Sequence, residues 1–266
     1  MTTISDVISA LDDVFPLSTQ DEWDNSGLIV GHPQNQVKGI LLTVDINEQR
    51  VNEAIERGCN MIIAHHPIIF HGLKRLNGQT DEQRTIETAI KHNIALCAFH
   101  TPADKSANGL SKEIGNILQL SDIHIFIPDK NNQNIGYGIV GTLQQPLQTK
   151  EFVALLSKKL KCQCIRHNNY TRNISKIAIC TGSGSEFITN ALNQKVDAYV
   201  TADIKYHQFQ QPENQMLLAD VGHYESEEIC KKLFLNILTE RFAEKNCKFA
   251  LCMSDTCENV IKYYTE

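Results

Sequence analysis

No apolar stretch of this 266-residue chain is long enough to cross a bilayer; segments such as Met61–Ala64 and Leu41–Val44 end after a few residues. The opening MTTISDVISALDDVF has no basic region and carries acids inside an amphipathic pattern. A signal peptide and a membrane partner are therefore not expected, and the cytoplasm is the expected location. A basic surplus is missing too: 25 Lys+Arg face 31 Asp+Glu, the formal net charge is −6, and neither sign gathers in a tail. Phosphate neutralisation needs a basic surface, so nucleic acid is not the expected partner. A local basic pocket for a small anion is compatible with this balance, and a small-molecule substrate is the expected ligand.

The nine cysteines lack the spacing of a thiolate metal site. Cys162-x-Cys164 and, near the C-terminus, Cys247, Cys252 and Cys257 give no two CxxC pairs. An odd count without a secretion signal favours reduced thiols, most of them buried as small hydrophobes.

What the chain has is a folded composition, 42% hydrophobic and 21% charged, and a length sufficient for one large or two medium domains. Strand and helix signals alternate, the pattern of an α/β fold. Residues 3–15 have helical spacing, ILLTV (40–44) reads as a buried strand, and NEQRVNEAIERG (47–58) as a helix ending at glycine. NMIIAHHP, IALCAFH (94–100), GIVGTL and IAIC (177–180) read as further strands. Residues 81–92 and KEFVALLSKKL read as helices. KNNQNIGYG, after Pro128, is polar and turn-rich, so lobes of 1–128 and 129–266 are expected, with 224–266 able to pack back on the first.

The two halves repeat. Ile40–Pro67 lies over Ile177–Ile204 at a constant offset of 137, setting ILLTV on IAICT, Ala54 on Ala191 and His66 on Asp203. IALCAFHTPAD (94–104) lies over LLADVGHYESE (217–227), setting His100 on His223 and Asp104 on Glu227. Each half thus closes a strand with a histidine and places a carboxylate four residues later, a pairing that packing does not require. An internal duplication is expected: two similar α/β lobes, with a metal cleft between strand ends, where open α/β sheets hold their ligands.

His65, His66, His100, Asp104, His223 and Glu227 all fall at or just beyond strand ends. Imidazole and carboxylate ligands together suit Zn, Fe, Mn, Co or Ni. Six such groups exceed the need of one tetrahedral ion, so two divalent metal ions are expected. His100 is compatible with three roles: metal ligand, orienter of Asp104, or catalytic proton exchange with a substrate.

EWDNSGLIVG (22–31), IIAHHPIIF (62–70), FHTPAD (99–104), TGSGSEF (181–187), DAYVTADIKYH (197–207) and VGHYESEE (221–228) together resemble the GTP cyclohydrolase I type 2 homologue family, also called the Nif-three-like proteins. The matches span nearly the whole chain in family order. The resemblance implies that His65, His66, Asp104, His223 and Glu227 are the dinuclear metal ligands, with Glu227 bridging. It also implies a toroidal homohexamer whose metal sites face an inner cavity. TAD (201–203) has alanine where the family usually has glycine, TPAD has proline where asparagine is common, and the large central insertion of some members is lacking. No ligand is altered.

His32, His92, His124 and His167 are read as ordinary polar residues, while both a structural and a site role stay open for His71 and His207. TGSGSEF is read as a tight strand-to-helix turn, with phosphate binding as the alternative. Trp23, the only tryptophan, is a candidate for stacking on a base, although burial against its lobe is the expectation. Asp24 and Asn25 would cap or turn the loop before GLIVG. The chemistry that fits best is metal-dependent hydrolysis of a nucleotide or related metabolite. A metal-dependent phosphoesterase and a non-enzymatic metal-binding or interaction scaffold are the alternatives.

Overall fold

The computed structural model describes residues 2–243, 249–255 and 259–264; Cys247 and Cys257 lie outside the described residues. The fold is α/β, in two compact units: Met1–Ala103 with Cys230–Glu258, and Asp104–Ile229 with Asn259–Glu266. Each unit is built on its own sheet.

In the first unit, strands β1 (Gly27–Val30), β2 (Gly39–Thr43), β3 (Met61–Ala64) and β4 (Ala95–Ala98) alternate with helices α1 (Ile4–Asp12), α2 (Glu48–Glu56) and α3 (Asp81–Lys91). β2, β3 and β4 are parallel and buried at every position, so both faces of the sheet need cover. Val51 and Ala54 of α2 and Ala89 of α3 pack against Leu41, Ile62 and Leu96. The caps show why the helices start where they do. Thr3 and Asp6 form a reciprocal capping box on α1, and the side chains of Asn47 and Thr80 accept the amides of Arg50 and Gln83.

A short helix, α4 (Thr101–Lys105), carries the chain across the division between the units, followed by α5 (Leu110–Ile117). The second sheet comprises β5 (Ser121–Pro128), β6 (Gly136–Gln148), β7 (Arg166–His167), β8 (Asn173–Ser183), β9 (Ala198–Ala202) and β10 (Leu217–Asp220), in the order β5-β6-β8-β9-β10-β7. Helices α6 (Thr149–Leu160), α7 (Ile188–Asn193) and α8 (His223–Glu227) complete it. Phe152, Leu156 and Leu160 of α6 pack with Ile114 and Leu118 against Ile177, Val200 and Leu217. Ile188 and Ala191 of α7 pack with Ala178, Tyr199 and Leu218.

The chain then returns to the first unit. Helix α9 (Ile229–Ala243) places Phe234 edge-on to Phe15, with ring centroids 5.8 Å apart, and β11 (Ala250–Met253) pairs in parallel with β2. The first sheet thus has the order β1-β4-β3-β2-β11.

The repeated core is visible in the strand order. β2, β3 and β4 are consecutive parallel neighbours in one sheet, and β8, β9 and β10 are the same in the other. The polar stretch after Pro128 is not the division between units. Pro128 pairs with Gly136, so residues 129–135 turn an antiparallel hairpin inside the second unit, and the division falls at Ala103/Asp104. Among the described residues, no helix is long and apolar enough to cross a membrane.

Candidate metal centre

In the first unit the polar residues gather at the carboxyl ends of parallel strands. β3 ends at Ala64, and the amides of both His65 and His66 donate to the Val44 carbonyl, which turns the chain out of the strand before Pro67. His100 follows β4 by two residues. The three rings converge, with centroids 4.8 Å apart for His65–His66, 5.2 Å for His65–His100 and 5.3 Å for His66–His100. One ring nitrogen from each lies within 4.8 Å of the others, a spacing that can hold a metal ion.

Each imidazole is held from behind. His65 Nδ1 lies 3.0 Å from the Phe99 carbonyl, so it donates there. His66 Nδ1 meets Asp45 Oδ1 at 2.8 Å, and His100 Nδ1 meets Asp24 Oδ1 at 3.0 Å. With Nδ1 engaged on an acceptor, Nε2 is the nitrogen that each ring presents forward, the usual arrangement behind a metal-ligating histidine.

Asp24 is the most heavily satisfied of these acceptors. Its side chain is fully buried and also accepts from the Ser26 hydroxyl and from the amide and hydroxyl of Thr101. Burial alone would raise its pKa, but the His100 and Thr101 hydrogen bonds, the His100 charge and Ser26 hold it well below the usual carboxylate range. Asp24 therefore caps α4 as well as holding His100.

The second unit presents Asp104, His223 and Glu227. His223 and Glu227 sit one helical turn apart on α8, and His223 Nε2 lies 3.0 Å from Glu227 Oε2. His223 Nδ1 is held by Asp203 Oδ2 at 2.7 Å, the same backing found in the first unit. Asp203 follows β9 in a left-handed backbone, φ +56°, which aspartate tolerates better than most residues. A carboxylate oxygen of Asp104 lies within 4.8 Å of one from Glu227, and Thr181 Oγ1 donates to Asp104 Oδ1 at 3.5 Å.

Glu227 is set by a glycine. Gly182 has φ +61°, and a Cβ built there would stand 2.2 Å from Glu227 Oε1. The Gly182 amide donates to Ser226 Oγ and the Gly184 amide to Thr201 Oγ1. These TGSGSEF donors are thus spent on shaping the turn around Glu227, which favours the tight-turn account of that motif over phosphate binding.

The donor set fits a metal. Neutral imidazoles and carboxylates bind divalent ions at about 2.0–2.2 Å, which puts neighbouring ligand atoms roughly 3–3.5 Å apart. His223 Nε2 and Glu227 Oε2 already have such a spacing.

His32, His92, His124 and His167 are exposed, as expected of ordinary polar residues. His71 and His207 are exposed as well, and neither belongs to a cluster of three metal-capable side chains among the described residues. Trp23 departs from expectation. It is 58% exposed rather than buried, because the fully buried side chain of neighbouring Asp24 anchors this loop and turns the indole outward. The backing carboxylates Asp24, Asp45 and Asp203 were not singled out from the sequence as site residues. The one signal was the repeat, which sets Asp203 on His66.

Residues 2–259 match the family described as Duf34/NIF3 (NGG1p interacting factor 3). A Lactococcus lactis protein named GTP cyclohydrolase 1 type 2 homolog is 34% identical over 226 residues, covering 83% of this chain and 86% of the relative. A Streptomyces coelicolor protein of the same name is 31% identical over 234 residues, covering 85% of this chain and 82% of the relative. The crystal structure of Staphylococcus aureus protein SA1388 superposes with a TM-score of 0.92 at 26% identity, covering 99% of each chain. With sequence matches spanning most of its length and a matching fold, the chain belongs to the Duf34/NIF3 family.

Proposed function

We propose that this protein is a hydrolase with a dinuclear metal centre held by His65, His66, Asp104, His223 and Glu227, acting on a nucleotide or related metabolite. The repeated backing of imidazole Nδ1 atoms carries the proposal. His65, His66 and His223 each have Nδ1 held by an acceptor, which turns Nε2 to the other side of the ring, and the same device occurs in both units. Glu227 would bridge the two ions, its carboxylate fixed by the absence of a Cβ at Gly182. His100, held by Asp24, would exchange protons with the substrate.

Divalent ions bound there would supply Lewis acidity, making water a better nucleophile and polarising a substrate oxygen. The family name GTP cyclohydrolase 1 type 2 homolog makes GTP the first substrate to try. Assembly as a toroidal homohexamer and a cytoplasmic location belong to the same proposal.

The test combines elemental analysis of protein purified without chelators with turnover assays on GTP that follow formate and phosphate separately. Two divalent ions per chain, and a turnover that disappears in Glu227→Ala, are expected. Full activity in Glu227→Ala, or a metal-loaded protein that turns over neither GTP nor other nucleotides, would overturn the proposal.

A further inference from the structure

The first unit exposes two large aromatic rings beside its histidine cluster. Trp23 is 58% exposed and Phe70 is 42% exposed. Both stand nearly perpendicular to the His100 imidazole, with ring centroids 5.5 Å and 5.7 Å away and interplanar angles of 75° and 84°. Neither rides on a loose segment. Asp24, next to Trp23, is locked by His100, Ser26 and Thr101, and Asn25 Nδ2 donates to the Ile69 carbonyl beside Phe70 at 2.7 Å. That last bond ties the two loops together.

Two rigidly mounted aromatic side chains left in water lose the benefit of burial unless something covers them. Leu73 and Leu76, 36% and 48% exposed, follow Phe70 on the same loop, and the exposed cations Lys74 and Arg75 lie between them in sequence. Exposed aromatic faces suit a flat ring, and cations on the Phe70 loop suit an anionic group joined to it.

We propose that Trp23 and Phe70 form the binding surface for a heteroaromatic ring of the substrate, whose phosphate is drawn by Lys74 and Arg75 while its reacting atom faces His100. This deepens the hydrolase proposal and rests on it for the chemistry at His100, but the ring surface can be tested without turnover.

Trp23 is the only tryptophan, so fluorescence excited at the red edge, where tyrosine does not absorb, and corrected for ligand absorbance reports on this surface. Full-length metal-loaded protein would be titrated with GMP, AMP and nicotinamide mononucleotide, and with ribose 5-phosphate, which carries the phosphate without a ring. Saturable quenching by at least one of the ring compounds and none by ribose 5-phosphate is expected. Phe70→Ala should weaken that binding about fivefold or more, while Phe70→Tyr retains it.

Absence of saturable quenching by every ring compound would overturn the proposal. So would equal quenching by ribose 5-phosphate, unchanged affinity in Phe70→Ala, or fluorescence that responds only to protein concentration, the sign of a second copy covering the surface. Ring-dependent quenching in a protein that hydrolyses nothing would sink the hydrolase proposal, and with it the role given to His100 here, and leave the ring-binding surface standing.

Discussion

His223 Nδ1 and Asp203 Oδ2 lie 2.7 Å apart, and Asp203 reaches this position from a backbone with φ +56°. Glycine adopts that conformation freely, so Asp203→Gly removes the carboxylate without straining the chain. Metal affinity, measured by competition with a chromophoric chelator, should fall about 10–100-fold. Asp203→Asn, which keeps an acceptor, should lose less. Equal affinities in all three proteins would show that the carboxylate does not orient His223.

His66→Ala separates binding from folding. The imidazole stands at a strand end and not in the apolar core, so its loss should lower metal content sharply. Denaturation of the metal-free protein should shift by less than about 1 kcal/mol. A large loss of stability in metal-free samples would make His66 a structural residue.

Asp24→Asn tests the buried carboxylate. Its pKa is depressed in the folded state, so its contribution is fully present above the ordinary value of 3.8 and is lost as pH falls toward the folded value. Urea denaturation should show the variant about 2 kcal/mol or more less stable at pH 7, with the gap closing only below about pH 4. A gap that widened in acid would contradict the assignment.

Thiol labelling tests the cysteines. Burial pushes the Cys97 thiol up to about 12, and burial with the charges of Glu225 and Asp220 does the same for Cys162. Burial, with Cys252 nearby, raises Cys59 to about 11. Cys164 is exposed. Among the described cysteines, a disulfide reagent at pH 8 should modify Cys164 in the native protein well before Cys97 or Cys162, as peptide mapping would show.

The parts legible in the sequence were those with strong local signals. Short all-apolar runs bounded by turn residues marked β2, β3 and β4, and matched histidine and carboxylate positions exposed the repeat behind β8, β9 and β10. Weaker signals misled. KNNQN after Pro128 has the composition of a linker, yet the same residues suit a hairpin turn, and only the pairing of Pro128 with Gly136 distinguishes the two. Trp23 illustrates the other limit. Hydrophobicity predicts burial, but the hydrogen bonds of Asp24 override it through contacts more than 70 residues away in sequence. The backing carboxylates stayed hidden for the same reason, since an aspartate in a loop beside a strand looks like any turn residue until its histidine is in place.

Because α9 and β11 belong to the first unit, residues that pack into its core are synthesised after most of the second unit. Phe15 and Phe99 are synthesised early but meet Phe234 only after the whole of 104–229 has emerged, and β2 gains its β11 neighbour later still. At typical translation speeds that delay is on the order of ten seconds. During that interval the nascent N-terminal segment has Phe15 and Phe99 without the ring that packs on them in the finished fold.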